Sequence, residues 1–89
     1  MLNRFKFILL SVLESEKADS VLKAISCYEI QDKIYELGYT VNYINQTLNK
    51  FQKDGLVKRG LNNRRSITFY ITNKGKEKLS EIRGESYEY

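Results

Sequence analysis

Residues 56–72 read LVKRGLNNRRSITFYIT, two strand-like runs on either side of an Asn-Asn-Arg-Arg tip. In the second run Ile67, Phe69 and Ile71 alternate with Thr68, Tyr70 and Thr72, the period of two that puts one face of a strand in a core. Residues 56–61 supply the other strand. Asn62 and Asn63 tolerate the left-handed backbone that a tight hairpin turn demands. Asn63, Arg64 and Arg65 then stand at a hairpin end where they help no core. Two adjacent guanidinium groups there point to an anion outside the protein.

Upstream of the hairpin the pattern changes to a helical one. Val41, Ile44, Leu48 and Phe51 recur at spacings of three and four, with Thr40 as N-cap and Gly55 closing the helix after Asp54. The other faces carry Asn42, Tyr43, Asn45, Gln46, Asn49, Lys50 and Lys53. Asparagine is a poor helix former, so its use three times has no structural return. Further back, Ser26-Cys27-Tyr28-Glu29 matches a capping box. Ile30, Ile34 and Leu37 follow as a stripe, and Gly38 stops the helix. Ala24-Ile25 allows one short strand before that cap. A first amphipathic helix covers residues 3–15, with Phe7, Leu10, Val12 and Leu13 mostly on one side. Residues 17–24 read equally as a continuation of it or as a short second helix. Thr72 can cap a last helix that turns Leu79 and Ile82 inward, with residues 85–89 fraying. Phe7, Leu10, Tyr28, Phe51, Phe69 and Tyr70 are expected in the core.

The charge is unevenly placed. Residues 1–49 carry a balance of −1, residues 50–78 a balance of +7 and residues 79–89 a balance of −2, within a net charge of +4. A basic block of this kind suits a polyanion partner. Lys74, Lys76 and Lys78 sit at the start of the last helix, where cations oppose the helix dipole, a further hint of an external anion. The longest apolar run, FILL at residues 7–10, is far short of the roughly 20 residues that cross a bilayer, so the reading is a soluble, cytoplasmic chain. With 89 residues, one domain is expected over 1–89. No histidine is present, and one cysteine, Cys27, excludes an intrachain disulfide and reads as a small buried side chain. Without an imidazole base, a metal-spaced ligand cluster or a glycine-rich phosphate loop, an enzyme is not expected, nor any cofactor or metal.

Taken in order (helix, capped helix, short turn, polar helix, hairpin, helix), the chain resembles the winged helix-turn-helix family, specifically small bacterial regulators of the MarR and PadR kind. The matching residues are Ile25-Ser26-Cys27-Tyr28-Glu29-Ile30, then Leu48, Phe51 and the run Lys53-Asp54-Gly55-Leu56-Val57-Lys58-Arg59, and finally Tyr70-Ile71-Thr72-Asn73-Lys74-Gly75-Lys76. The resemblance spans roughly residues 5–83. It implies an α+β, mainly helical fold in which three helices precede a β-hairpin wing and a last helix. It also implies double-stranded DNA as partner, with residues 41–54 as recognition helix in the major groove. Asn42, Tyr43 and Gln46 are then the candidates for base edges, and Asn45, Asn49, Lys50 and Lys53 for phosphate. The wing, Asn63, Arg64 and Arg65, is directed to the minor groove or the flanking backbone. Lys58 and Arg59, on the strand leading outward, add long-range field.

The expected assembly is a homodimer through the first helix, with Leu2, Phe5, Ile8 and Leu9, and the last helix. Transcriptional repression is the leading expectation. Small winged-helix proteins also serve as centromere-binding adaptors in tubulin-type plasmid or phage partition systems, and the sequence leaves that alternative open. A protein-interaction module on the same scaffold, docking a second protein, is the third.

Overall fold

The computed structural model describes the backbone of residues 4–62 and 66–87, with side chains as far as residue 82. Seven elements follow in the order α1 (Arg4–Ser15), β1 (Ile25–Ser26), α2 (Cys27–Lys33), α3 (Val41–Lys53), β2 (Val57–Arg59), β3 (Thr68–Ile71) and α4 (Asn73–Tyr87). The helices enclose one apolar cluster against a small antiparallel sheet of strand order β1-β3-β2. Its members come from every layer: Leu9, Leu10 and Leu13 of α1, Ile30 of α2, Ile44 and Leu48 of α3, Val57 and Phe69 of the hairpin, and Leu79 of α4.

The local signals in the chain set the helix ends. At α2 the capping box is complete: Ser26 Oγ accepts from Glu29 N–H at 3.2 Å, and the Glu29 carboxylate accepts from Ser26 N–H at 3.1 Å. Such a cap is worth about 1 kcal/mol. Ser26 is also the last residue of β1, in register with Thr68 while Ile25 opposes Phe69. One residue therefore ends a strand and starts a helix. Thr40 Oγ caps α3 by accepting from Tyr43 N–H at 3.1 Å. Gly38 and Gly55 take left-handed backbone, at φ of 77° and 79°, where glycine carries no Cβ penalty.

Several expectations are corrected. The stripe Ile30, Ile34, Leu37 breaks after its second member, because α2 ends at Lys33 and a tighter turn, Tyr35–Leu37, follows. That turn leaves Leu37 on the surface. Tyr28, expected in the core, is 63% exposed; two residues before Ile30, it points about 200° around the helix from the buried stripe. Residues 17–24 become a turn with Lys17 at φ 57° and one helical turn at Val21–Lys23. Strict alternation fails along residues 67–71, where Thr68 is buried and Ile67, just before β3, is exposed. β3 is the central strand of the sheet, and the buried Thr68 hydroxyl is satisfied by donating to Leu61 C=O. Phe5 and Leu9, expected to face a dimer partner, are already buried in the protomer's own core. Asn63, Arg64, Arg65 and Leu2 lie outside the described residues.

The junction between hairpin and α4 is tight. Thr72 N–H donates to Leu56 C=O at 3.0 Å, Thr72 Oγ–H donates to Gly55 C=O at 2.6 Å, and the same hydroxyl accepts from Gly75 N–H at 3.1 Å. A Cβ at Gly75 would stand 2.2 Å from Leu56 O and 2.7 Å from Ile71 Cγ1, whereas one at Gly38 meets nothing within 4 Å. Gly75→Ala is therefore expected to cost more than about 2 kcal/mol through forced displacement of backbone. Gly38→Ala should lose only about 1–2 kcal/mol from its left-handed backbone. Urea denaturation of the two variants checks the order, and equal losses would contradict the close approach at Gly75.

Candidate nucleic-acid interface

Helix α3 buries Ile44, Thr47, Leu48 and Phe51, and this anchoring decides what its other faces present. At 100° per residue, Asn42, Gln46, Asn49 and Lys53 fall within roughly 60° of arc, opposite the buried stripe. Asn42, Gln46 and Lys53 are exposed and Asn49 is half-buried. Three carboxamides and an ammonium thus form a row along the outer surface of a helix that is capped at its start and pinned along its inner side. A carboxamide offers a donor and an acceptor side by side. That is the pairing that matches N7 and N6 of adenine in the major groove.

The remaining candidates on α3 divide to its two flanks. Toward α1, the Tyr43 ring stacks on Phe5 with centroids 4.5 Å apart and planes 12° from parallel, and lies 5.9 Å from Tyr39. Tyr43 is therefore packed by one face, though still 44% exposed. Lys50 lies on the same flank and is exposed. Toward α2, Asn45 is half-buried and its Oδ1 accepts from the Cys27 thiol at 3.6 Å. The structure thus groups Asn42, Gln46, Asn49 and Lys53, and gives Tyr43 and Asn45 partners inside the protein. Lys58 and Arg59 are exposed on β2, in register with Tyr70 and Phe69 of β3.

Between the start of α3, the start of α2 and the base of the hairpin runs an open groove of about 460 Å³, lined by Tyr28, Val41, Asn42, Asn45 and Ile67 among others. Tyr28 and Ile67 are surface residues that the sequence reading misses. For Tyr28 the signal is present, in its placement off the Ile30–Ile34 stripe; for Ile67 it is not, since exposure there follows from how the sheet is assembled. The groove sets a phenol and two aliphatic side chains beside Asn42, so polar and apolar contacts are available within one residue's reach.

Among the described residues no group of three or more Cys, Asp and Glu is placed to hold a metal ion. Among the same residues no helix is long and apolar enough to cross a membrane. Burial pushes the Cys27 thiol up from 9.0 to about 11.

No protein-family model and no curated protein sequence matches the chain. Solved structures do. The chain is similar to TubR from Bacillus megaterium pBM400 at 25% identity and TM-score 0.75, covering 91% of this chain and 86% of that one. It is similar to a DNA-binding TubR fragment from Clostridium botulinum at 26% identity and TM-score 0.72, covering 92% and 98%. A MarR family protein from Bacillus stearothermophilus shares the fold at 17% identity and TM-score 0.73, with 94% of this chain and 53% of that one covered. The fold is a winged helix-turn-helix, with α2 and α3 as the helical pair and β2–β3 as the wing.

The thiol's environment has a chemical consequence. A raised value means that the thiolate is disfavoured in the folded state, so its contribution to stability is present below pH 9 and is lost as pH rises through about 11. At pH 8 iodoacetamide should alkylate native protein at least roughly tenfold more slowly than the urea-unfolded chain, because the thiolate is scarcer though intrinsically more nucleophilic. Equal rates would show that Cys27 is not held as described.

Proposed function

We propose that this chain is a double-stranded-DNA-binding winged-helix protein that acts as a homodimeric transcriptional repressor. The observation that carries the reading is the outward row of Asn42, Gln46, Asn49 and Lys53 on α3. A row rich in uncharged amides is poor at solubilising a helix and well suited to reading base edges. The solved DNA-binding TubR fragment, of like length and fold, supports it. In this reading Asn42 and Gln46 touch bases, and Asn49, Lys50 and Lys53 hold phosphate. Tyr43, stacked on Phe5, works from the flank, and Asn45 does so while tied to Cys27. Arg64 and Arg65, with Asn63, take the wing's place on the minor groove or flanking backbone, while Lys58 and Arg59 strengthen the field around it. A two-fold dimer would seat its recognition helices about 34 Å apart in successive major grooves. In this reading the protein acts in the cytoplasm, with the nucleoid or a plasmid or phage genome.

A second reading keeps the DNA and changes the role to that of a centromere-binding adaptor in a tubulin-type partition system. It is favoured by the two TubR structures, which match this chain at 25% and 26% identity over 86% and 98% of their lengths. A repressor is expected to occupy one partly symmetric site near a promoter, an adaptor to cover a cluster of tandem repeats. Footprinting on the DNA that surrounds its own gene separates them.

Binding to duplex DNA is expected to fall with added salt, log affinity dropping about 0.9 per phosphate contact for each tenfold rise. Asn42→Ala and Gln46→Ala should each cost about 1–3 kcal/mol on a selected duplex and flatten base preference at one position. Arg64→Ala with Arg65→Ala should weaken binding alike on every duplex and make the salt slope shallower. Fluorescence anisotropy across a salt series reads all three, and a wild-type protein without salt-dependent affinity overturns the proposal.

A further inference from the structure

Helix α3 is longer than the groove it is proposed to enter. Thirteen residues from Val41 to Lys53 span about 20 Å, against a major groove about 12 Å wide. With its amino-terminal half among the bases, its carboxyl-terminal turn emerges at the rim, where the phosphates run. At that end the fold builds a second basic feature. An open groove of about 610 Å³ lies where α1, α3 and α4 meet, and five lysines line it: Lys6, Lys50, Lys53, Lys74 and Lys78. Asp54 is the one acidic residue lining it.

The five come from three helices far apart in the chain, so their gathering is tertiary. Like charges brought together raise the free energy of the folded protein unless a counter-charge arrives. Other lysines of the protein have carboxylates close by. Lys76, on the same helix, is paired with Asp19 at 3.1 Å, and that ammonium holds the Asp19 carboxyl below its usual range. Lys33 is paired with Glu16 at 3.5 Å. Within the groove, Lys78 reaches Glu81 only at 4.0 Å, with both side chains well exposed, a contact of little energy. Lysine, a compact charge on a flexible stem, suits a phosphate contact that need not be planar or bidentate.

We propose that this groove is a phosphate-backbone clamp on the side of the recognition helix away from the wing, with Lys6, Lys74 and Lys78 as its added contacts. The duplex is then gripped on both rims of one major groove: the wing on one strand, the lysine groove on the other. Charge complementarity and continuity with the Lys50 and Lys53 end of the α3 row select a duplex as occupant. The inference rests on the DNA-binding reading, and the test separates the two.

The probe is a short mixed-sequence duplex and, beside it, a duplex selected from a random pool, titrated by anisotropy over a range of salt. The variant is the triple Lys6→Gln, Lys74→Gln, Lys78→Gln, with Lys76→Gln as control and thermal unfolding to establish that both are folded. The triple is expected to bind both duplexes roughly ten- to a thousandfold more weakly at low salt, with a slope shallower by about 2–3. The preference for the selected duplex should stay as in wild type, and Lys76→Gln should bind as wild type. If wild type binds and the triple keeps its affinity and slope, the clamp is refuted while DNA binding stands; an acidic protein segment then becomes the groove's partner. If the control falls as far as the triple, the loss is general charge and the clamp is refuted too. If wild type does not bind a duplex, the reading beneath both fails.

Discussion

The start of α4 is tied to the end of α3 through one residue, Thr72. Its hydroxyl donates to Gly55 C=O, the residue that closes α3, and accepts from Gly75 N–H in the first turn of α4. Its backbone N–H donates to Leu56 C=O, and its own carbonyl accepts from Lys76 N–H at 2.9 Å. Helix α3, a wing strand and the last helix are thus joined at a single point through four hydrogen bonds. The close approach of Gly75 to Leu56 O leaves no room for any other residue there. Because the junction is built from backbone and one hydroxyl, it fixes direction as well as distance. The amino-terminal turn of α4 is set beside the carboxyl-terminal turn of α3, and the lysines of both are brought to one groove.

A second shared residue works at the opposite end of the helical pair. Ser26 closes β1 on β3 and begins α2, so the sheet and the helix-turn-helix cannot shift independently. From there α2 leads through Gly38 to the Thr40 cap of α3. The side chain of Gln31 reaches Tyr39 C=O at 3.0 Å across the intervening turn. Helix α3 is therefore fixed at both ends by polar contacts and along its length by Ile44, Leu48 and Phe51. A rigid mount of this sort allows a row of carboxamides, individually poor for helix stability, to be displayed with defined geometry.

What can be read from the chain and what cannot divides along the range of the interaction involved. Ser26 with Glu29, Thr40, Thr72, Gly38 and Gly55 act on atoms within a few residues, and each is legible as a cap or a stop. The succession of elements they delimit is enough to suggest a winged helix. Thr68 and Ile67 escape such a reading because the burial of one and the exposure of the other depend on contacts made only in the folded chain, such as the bond from the Thr68 hydroxyl to Leu61 C=O. Phe5 and Leu9 read as available because α1 has apolar residues around much of its circumference, and only the folded core, with Tyr39 and Tyr43 set against Phe5, decides which are covered. Tyr43 illustrates the same limit at the candidate site. Its place on an exposed helix face is readable; its stack on Phe5 is not, since 38 residues separate them.

The charge distribution shows how folding can reorganise a feature that is plain in one dimension. Residues 50–78 form one basic block in the sequence. In space β2 and β3 divide it, sending Lys58 and Arg59 outward along the wing strand, while Lys50 and Lys53 are joined by Lys74 and Lys78 at the far end of α3. Lys6 enters from the acidic half of the chain, and Lys76 leaves the set by pairing with Asp19. The count of cations therefore overstates the field in one place and understates it in another. On the DNA-binding reading proposed above, two basic regions and a row of amides divide the work: charge for a repeating backbone, hydrogen-bond donors and acceptors for what varies along it.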